Sequence, residues 1–337
     1  MATPLQGDDV AQARALIEAQ GLAFEPPVDD LVGVFEGDAL VATGARRGEV
    51  LKMIAVAPAF QGGAVLGEVV TLLVQRALAA GVEDLFVYTR PACAGSFEAL
   101  NFRLLASHGR AALLEYGNGL ERWLERHRAL VRPGDNGAVV VNANPFTLGH
   151  RHLVEEASRR VATLYVFVVS EDRSAFPLEA RLRLVRQGTD DLPNVVVLET
   201  SRYAVSAVTF PAYFLRATDD VVAIQAELDV LLFGRRIAPA FSVRRRFFGT
   251  EPYCPTTRAY NAAMRRLLPS LGIEAVEVPR LEASAGAISA SSVRAALREG
   301  DHGALAALVP ATTLGFLLSD GARAVRERLS ATEGRHA

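Results

Sequence analysis

Val139-Val140-Val141-Asn142-Ala143-Asn144-Pro145-Phe146-Thr147-Leu148-Gly149-His150 is an apolar strand that runs into a loop of small residues and then opens a helix. A continuous valine run is the pattern of a parallel strand buried on both faces. Asn144-Pro145 ends it, because proline pushes the residue before it out of the helical region. Gly149 permits a close approach of backbone and ligand. The helix predicted from His150 to about Arg160 turns its unpaired N–H groups and positive dipole end toward the same place. From the first turn of that helix, His150 can donate to a phosphate oxygen. Taken alone, Thr-Leu-Gly-His reads first as a capped turn with a surface histidine.

A second stretch changes that reading. Ile288-Ser289-Ala290-Ser291-Ser292-Val293-Arg294 is a serine-rich turn capping a helix through Leu297, with Gly300 as its stop. Hydroxyls and an arginine meet there at another helix start, which is again an anion site. One stretch opens a domain and the other lies near its end, so together they point to the binding of phosphate.

These residues resemble a known superfamily. Thr147-Leu148-Gly149-His150 and Ile288 to Arg294 are similar to the paired signatures of the adenylyl-transferring nucleotidyltransferases, with Thr147 where many members carry the first histidine of an HxGH motif. Asn142 to His150, Phe176-Pro177 with Arg181-Leu182, Thr209-Phe210-Pro211 and Gly249-Thr250-Glu251-Pro252 narrow the resemblance to the citrate lyase ligase family, over most of the chain. The resemblance implies an ATP- and Mg2+-dependent enzyme. It would activate acetate as acetyl-adenylate and acetylate the thiol of a coenzyme A-like prosthetic group on the acyl carrier subunit of citrate lyase, releasing AMP and pyrophosphate. His150, Thr147, Ser289 and Arg294 are then the expected catalytic residues. Asn142, Asn144, Pro145, Phe146, Gly149, Arg173, Gly249, Thr250, Glu251 and Ser291 are the expected nucleotide contacts. A magnesium ion bridging phosphates keeps most of its waters and needs no carboxylate cluster; no protein metal ligand is expected.

Composition agrees. The chain has 337 residues, 50% of them hydrophobic, enough for two domains with cores of their own. A formal net charge of −2 and a pI near 6.3 argue against nucleic acid or a membrane surface as partner. The start Met-Ala-Thr-Pro-Leu-Gln-Gly-Asp-Asp lacks the basic and apolar regions of a signal peptide, so a cytoplasmic protein is expected. Cys93 and Cys254 are too few for a disulfide scaffold or a cysteine zinc site. Lys52 is the single lysine, so phosphate contacts in the second half must come from arginine, histidine, hydroxyls or backbone.

The N-terminal part reads as a helix from about Asp8 to Gln20, strands at Leu31–Glu36, Ala39–Arg46 and Val50–Ala57, a helix from about Ala64 to Ala80, a strand at Asp84–Thr89 and a short Phe97–Phe102 segment. That order resembles the GNAT acetyltransferase fold. Ala64 and Leu66 stand where its pyrophosphate loop keeps small residues, so acetyl transfer from acetyl-coenzyme A is not expected, and docking of the carrier's prosthetic arm is. After a linker, strand and helix alternate from Ala138 to Val278, the pattern of an open parallel sheet with ligands beyond the carboxyl ends of its strands. The expected organisation is α/β: a GNAT-like α+β domain over 1–130, a linker over 131–137, a Rossmann-like nucleotidyltransferase domain over 138–325 and a mobile tail over 326–337. Two alternatives fit parts of this pattern: an adenylyltransferase acting on a phosphopantetheine-like precursor, and a GNAT acetyltransferase with a regulatory nucleotide domain.

Overall fold

The structure, a computed structural model, describes residues 1–170, 174–204, 210–283 and 286–331. The chain forms two compact units. Met1–Trp123 builds the first together with residues 210–232, which return to it from later in the sequence. Leu124–Ala204 and the chain from Phe233 onward build the second. The division falls inside a helix rather than at residue 130.

In the first unit the elements run β1 (Thr3–Pro4), α1 (Asp9–Ala19), β2 (Asp30–Glu36), β3 (Ala39–Arg47), β4 (Val50–Val56), α2 (Val65–Ala79), β5 (Leu85–Thr89), α3 (Ala94–Glu98), β6 (Phe102–His108) and β7 (Ala111–Tyr116). Helix α4 (Gly119–His127) follows. A seven-stranded sheet has the order β1-β2-β3-β4-β5-β7-β6, antiparallel except for β4 and β5. Apolar side chains of α2, among them Val69 and Leu73, pack with Val32, Leu51 and Val87 of the sheet. This mixed α+β unit has the element order expected of a GNAT-like fold.

The parallel pair is joined only at Val50–Phe86 and Leu51–Val87 and opens beyond them. The returning segment closes that opening. The Tyr213 hydroxyl donates to the Tyr88 carbonyl on β5 at 2.9 Å and receives the Met53 backbone N–H from β4. Phe210 meets the Tyr88 ring edge-on at 5.3 Å. A strand edge without a neighbour leaves backbone groups unpaired, and a phenol that both donates and accepts satisfies one from each side.

In the second unit the elements are β8 (Asn136–Val141), α5 (Leu148–Ser158), β9 (Thr163–Val168), α6 (Leu178–Gln187) and β10 (Val195–Glu199). Helix α7 (Val221–Leu232) belongs to the first unit and packs on β6 and β7. Back in the second unit come α8 (Ala238–Ala240), β11 (Val243–Gly249), α9 (Pro255–Leu267), β12 (Glu274–Val278), α10 (Ala290–Glu299), α11 (His302–Leu308), α12 (Ala311–Leu318) and α13 (Arg323–Ala331). All strands of the five-stranded sheet β10-β9-β8-β11-β12 are parallel. This is the Rossmann-like sheet that the alternation predicts. The chain reverses direction across the sheet between β8 and β11, and in such sheets the crevice at the carboxyl ends of that pair receives the ligand.

Three boundaries differ from the sequence expectation. Strand β8 starts inside the expected linker, because Asn136 is buried and donates to the carbonyls of Arg132 and Phe241. The expected tail is helical through Ala331: Leu329 is buried, Arg326 donates to the Leu317 and Ser319 carbonyls, and Arg328 to that of Ser174. Residues 332–337 lie outside the described residues. Strands β6 and β7, absent from the sequence reading, complete the first sheet. Among the described residues no helix is long and apolar enough to cross a membrane.

Candidate active site

Helix α5 begins at Leu148, with Thr147 as its N-cap. The His150 N–H donates to Thr147 Oγ1 at 3.2 Å, and the Thr147 N–H donates to His150 Nδ1 at 3.1 Å, a reciprocal cap made by a histidine. A backbone N–H can only donate, so Nδ1 is the accepting nitrogen and the neutral ring carries its proton on Nε2. Burial, and next the positive charge of Arg280, bring the His150 pKa down to about 4. At neutral pH His150 is therefore an uncharged donor through Nε2–H. Thr147 is buried at 1% exposure with its hydroxyl 2.9 Å from Nδ1, so its side chain is engaged by His150.

That depressed pKa has a stability consequence. The folded ring resists protonation while the unfolded ring protonates at its ordinary value of 6.5. The contribution is complete above that value and is lost as pH falls toward 4. At pH 5 the wild type should have lost about 2 kcal/mol relative to pH 8 through this group. Denaturant unfolding at both pH values measures it, and His150→Ala should remove that share of the difference.

The second motif arrives as expected. Ser289 caps α10, its Oγ accepting from the Ser292 N–H at 3.0 Å, and Gly300 closes the helix in the left-handed conformation at φ 70°. Arg294 is buried; it donates to the Asn144 carbonyl at 2.7 Å, 150 residues away in sequence, and to Ser291 Oγ at 3.3 Å. Gly149 completes the junction, since a Cβ there would stand 3.3 Å from the Ile288 carbonyl oxygen. The close approach that Gly149 permits is thus to the chain's own second motif. Both helix starts, after β8 and before α10, meet at the ligand end of the sheet.

The remaining expected residues divide. Asn142 is exposed, but its Oδ1 accepts from Arg181 at 3.1 Å and from Ser174 at 3.2 Å. Asn144 Oδ1 accepts from the Phe176 N–H at 3.1 Å. Phe146 is fully buried, stacked on His150 with centroids 5.9 Å apart, and fills the place where a Cβ on Gly188 would lie 2.5 Å from its ring. Pro145 is buried beside it. Phe146 and Pro145 support the loop from below and have no surface for a nucleotide. The loop after β11 is held by Asn261, which donates to the Gly249 carbonyl at 2.9 Å, and by Thr250, whose Oγ1 accepts from the Arg280 N–H at 3.0 Å. Glu251 Oε1 accepts from the Tyr253 and Cys254 N–H groups ahead of α9, and Oε2 lies 3.2 Å from Arg280. Arg173 and Thr209 lie outside the described residues.

Arg280 was not singled out in the sequence, and Arg181 was quoted there only as part of the motif with Phe176-Pro177. Arg280, in the loop after β12, reaches Glu251, the Ile288 carbonyl at 3.0 Å and the face of Tyr253 at 5.7 Å. Fully buried Arg181 donates to the carbonyls of Phe176, Asn142 and Val169 and so ties the β8 and β9 ends together. The site therefore brings together a neutral donor, Arg280 and Arg294, serine hydroxyls and two helix starts, groups whose chemistry suits an anion.

The sequence profile of the citrate lyase ligase C-terminal domain family matches residues 136–317, more than half of the chain. The citrate (pro-3S)-lyase ligase of Klebsiella pneumoniae is 43% identical over 288 residues, covering 83% of this chain and 84% of that one. The Escherichia coli K12 citrate (pro-3S)-lyase ligase is 36% identical over 316 residues, with 91% and 90% covered. Among solved structures, the ribosomal-protein-S18-alanine N-acetyltransferase of Escherichia coli is similar at 15% identity and a TM-score of 0.30, over 34% of this chain and 92% of that one. By the profile and the relatives' identity along its length, the chain is an enzyme of the citrate lyase ligase family.

Proposed function

We propose that this enzyme activates acetate with ATP and passes the acetyl group to the thiol of the coenzyme A-like prosthetic group on the acyl carrier subunit of citrate lyase. Acetate is already an anion at neutral pH, so the first step asks for alignment rather than a base. An acetate oxygen attacks the α-phosphorus, the bond to the β-phosphate breaks, and the electron pair leaves with pyrophosphate. The thiol then attacks the acetyl carbon, AMP departs, and the thiol proton passes to solvent.

The observation that carries this reading is the junction of the two helix starts through Arg294 and Gly149 beside an uncharged His150. His150 Nε2–H donates to a phosphate oxygen, Ser289 and Ser291 with the amides of α10 receive the pyrophosphate, and Thr147 and Arg294 fix those groups in place. Preorganised donors of this kind supply most of the stabilisation in phosphoryl-type transfer. Magnesium would be carried by the phosphate oxygens and water, which is the coordination that this ion prefers. When bound it screens the charge of the polyphosphate.

For the first unit, roughly residues 1–130 in the sequence reading, we propose docking of the carrier's prosthetic arm. Its β4–β5 opening is occupied by Tyr213, which supports a role other than acetyl transfer from acetyl-coenzyme A. A cut near Gly134 would strand the returning residues 210–232, so the intact chain is the one to test. With holo-carrier present, hydrogen exchange should slow in the first unit as well as around His150. Slowing confined to the second unit would contradict the docking role. Incubated with ATP and acetate, the carrier should gain one acetyl group on its thiol, and an unmodified carrier would contradict the reaction.

A further inference from the structure

Arg280 stands where three loops of the ligand end converge. It follows β12, its backbone N–H holds Thr250 in the loop after β11, and its guanidinium reaches the Ile288 carbonyl next to the cap of α10. Its charge also acts on His150 at the start of α5. Unlike Arg294, which is 6% exposed and committed to the Asn144 carbonyl and Ser291, the Arg280 side chain retains 19% exposure. A guanidinium has more N–H donors than the bonds to Glu251 and Ile288 use.

The carboxylate beside it reads in the same way. Glu251 is bonded through Oε1 to the Tyr253 and Cys254 N–H groups, which fixes its position, and Oε2 faces Arg280. A carboxylate held in that manner orients a cation and has little left to offer a ribose. We propose that Arg280 is a catalytic residue of adenylate formation, its guanidinium contacting the departing pyrophosphate, with Glu251 as its positioning partner. This rests on the function proposed above. When the bond between the α-phosphorus and the bridging oxygen breaks, the electron pair stays on pyrophosphate and its charge grows. A planar cation fixed beforehand by Glu251 and the Ile288 carbonyl meets that charge without reorganising.

The test uses the full chain and acetate-dependent exchange of labelled pyrophosphate into ATP, with ATP affinity measured separately by calorimetry. Arg280→Gln should slow exchange at least about 100-fold while ATP affinity falls less than about tenfold, the split expected of a contact that tightens in the transition state. Added guanidinium ion should restore part of the rate, which it would not do for a merely structural residue. Arg280→Lys should be intermediate, since lysine keeps the charge without the fork. Glu251→Gln should lose less than Arg280→Gln, and adding it to Arg280→Gln should cost nothing more. Exchange near the wild-type rate in Arg280→Gln overturns the assignment. So does an equal loss of ATP affinity with unchanged maximal rate, or a slow variant that guanidinium does not rescue. Absence of exchange in the wild type overturns the functional reading as well, and the same assay separates the two failures.

Discussion

His150→Ala should form acetyl-adenylate at least about 100-fold more slowly than the wild type, the loss that follows removal of one transition-state donor. The expectation rests on the ring's geometry: Nδ1 is engaged by Thr147, so the only proton that the neutral imidazole can offer is on Nε2. Alanine also removes half of a reciprocal cap, at a cost of about 1 kcal/mol in stability. His150→Asn separates these effects, because an amide oxygen can still accept from the Thr147 N–H while its donors reach less far. It should recover much of the stability and little of the rate. Rapid-quench measurement of adenylate, with unfolding curves of both variants, decides the matter. A folded alanine variant within about threefold of the wild-type rate would remove His150 from the chemistry.

Arg294→Ala should damage both fold and rate. The buried guanidinium is the bond between the motif that opens the second unit and the one near its end, and its loss leaves the Asn144 carbonyl without that partner. A buried acceptor left without its donor costs about 1–3 kcal/mol. Adenylate formation should drop at least about 100-fold, because the serines and the α5 helix start lose their common alignment. Ser289→Ala should cost only about 1 kcal/mol of stability, as an N-cap does, while still lowering the maximal rate more than ATP affinity. Thermal unfolding alongside pyrophosphate release tests the contrast. Equal stability of the two variants would mean that Arg294 does not join the motifs.

The sequence carried those motifs because their chemistry is local. A valine run, a proline break and a glycine before a histidine say strand, loop and helix within a dozen residues, and α10 announces itself by Ser289 at one end and Gly300 at the other. The strands β6 and β7 were less legible: Ala111-Ala112-Leu113-Leu114 has no β-branched residue, and alanine and leucine favour helix when read alone. The C-terminal helix was missed although Val325 and Leu329 stand at the spacing of one buried stripe, since the charges around them suggested a solvated tail. Other features had no local signature. Arg181 was marked by its motif with Phe176-Pro177, but its burial was not, since only the folded chain supplies the carbonyls that it meets. Tyr213 returns to a strand 125 residues earlier, where its partner is the Tyr88 carbonyl. Arg280 follows Pro279 in a loop, and nothing near it in sequence foretells Glu251 or Ile288 as neighbours.

The sharpest test of the account is exchange of labelled pyrophosphate into ATP by the purified chain, with acetate present and no carrier subunit. Formation of acetyl-adenylate at the junction of α5 and α10 predicts exchange that depends on acetate, releases no free AMP in bulk until holo-carrier is added, and disappears in His150→Ala. Exchange supported instead by a phosphorylated pantetheine, with a dinucleotide as product, would contradict it, as would AMP formation that needs no acetate.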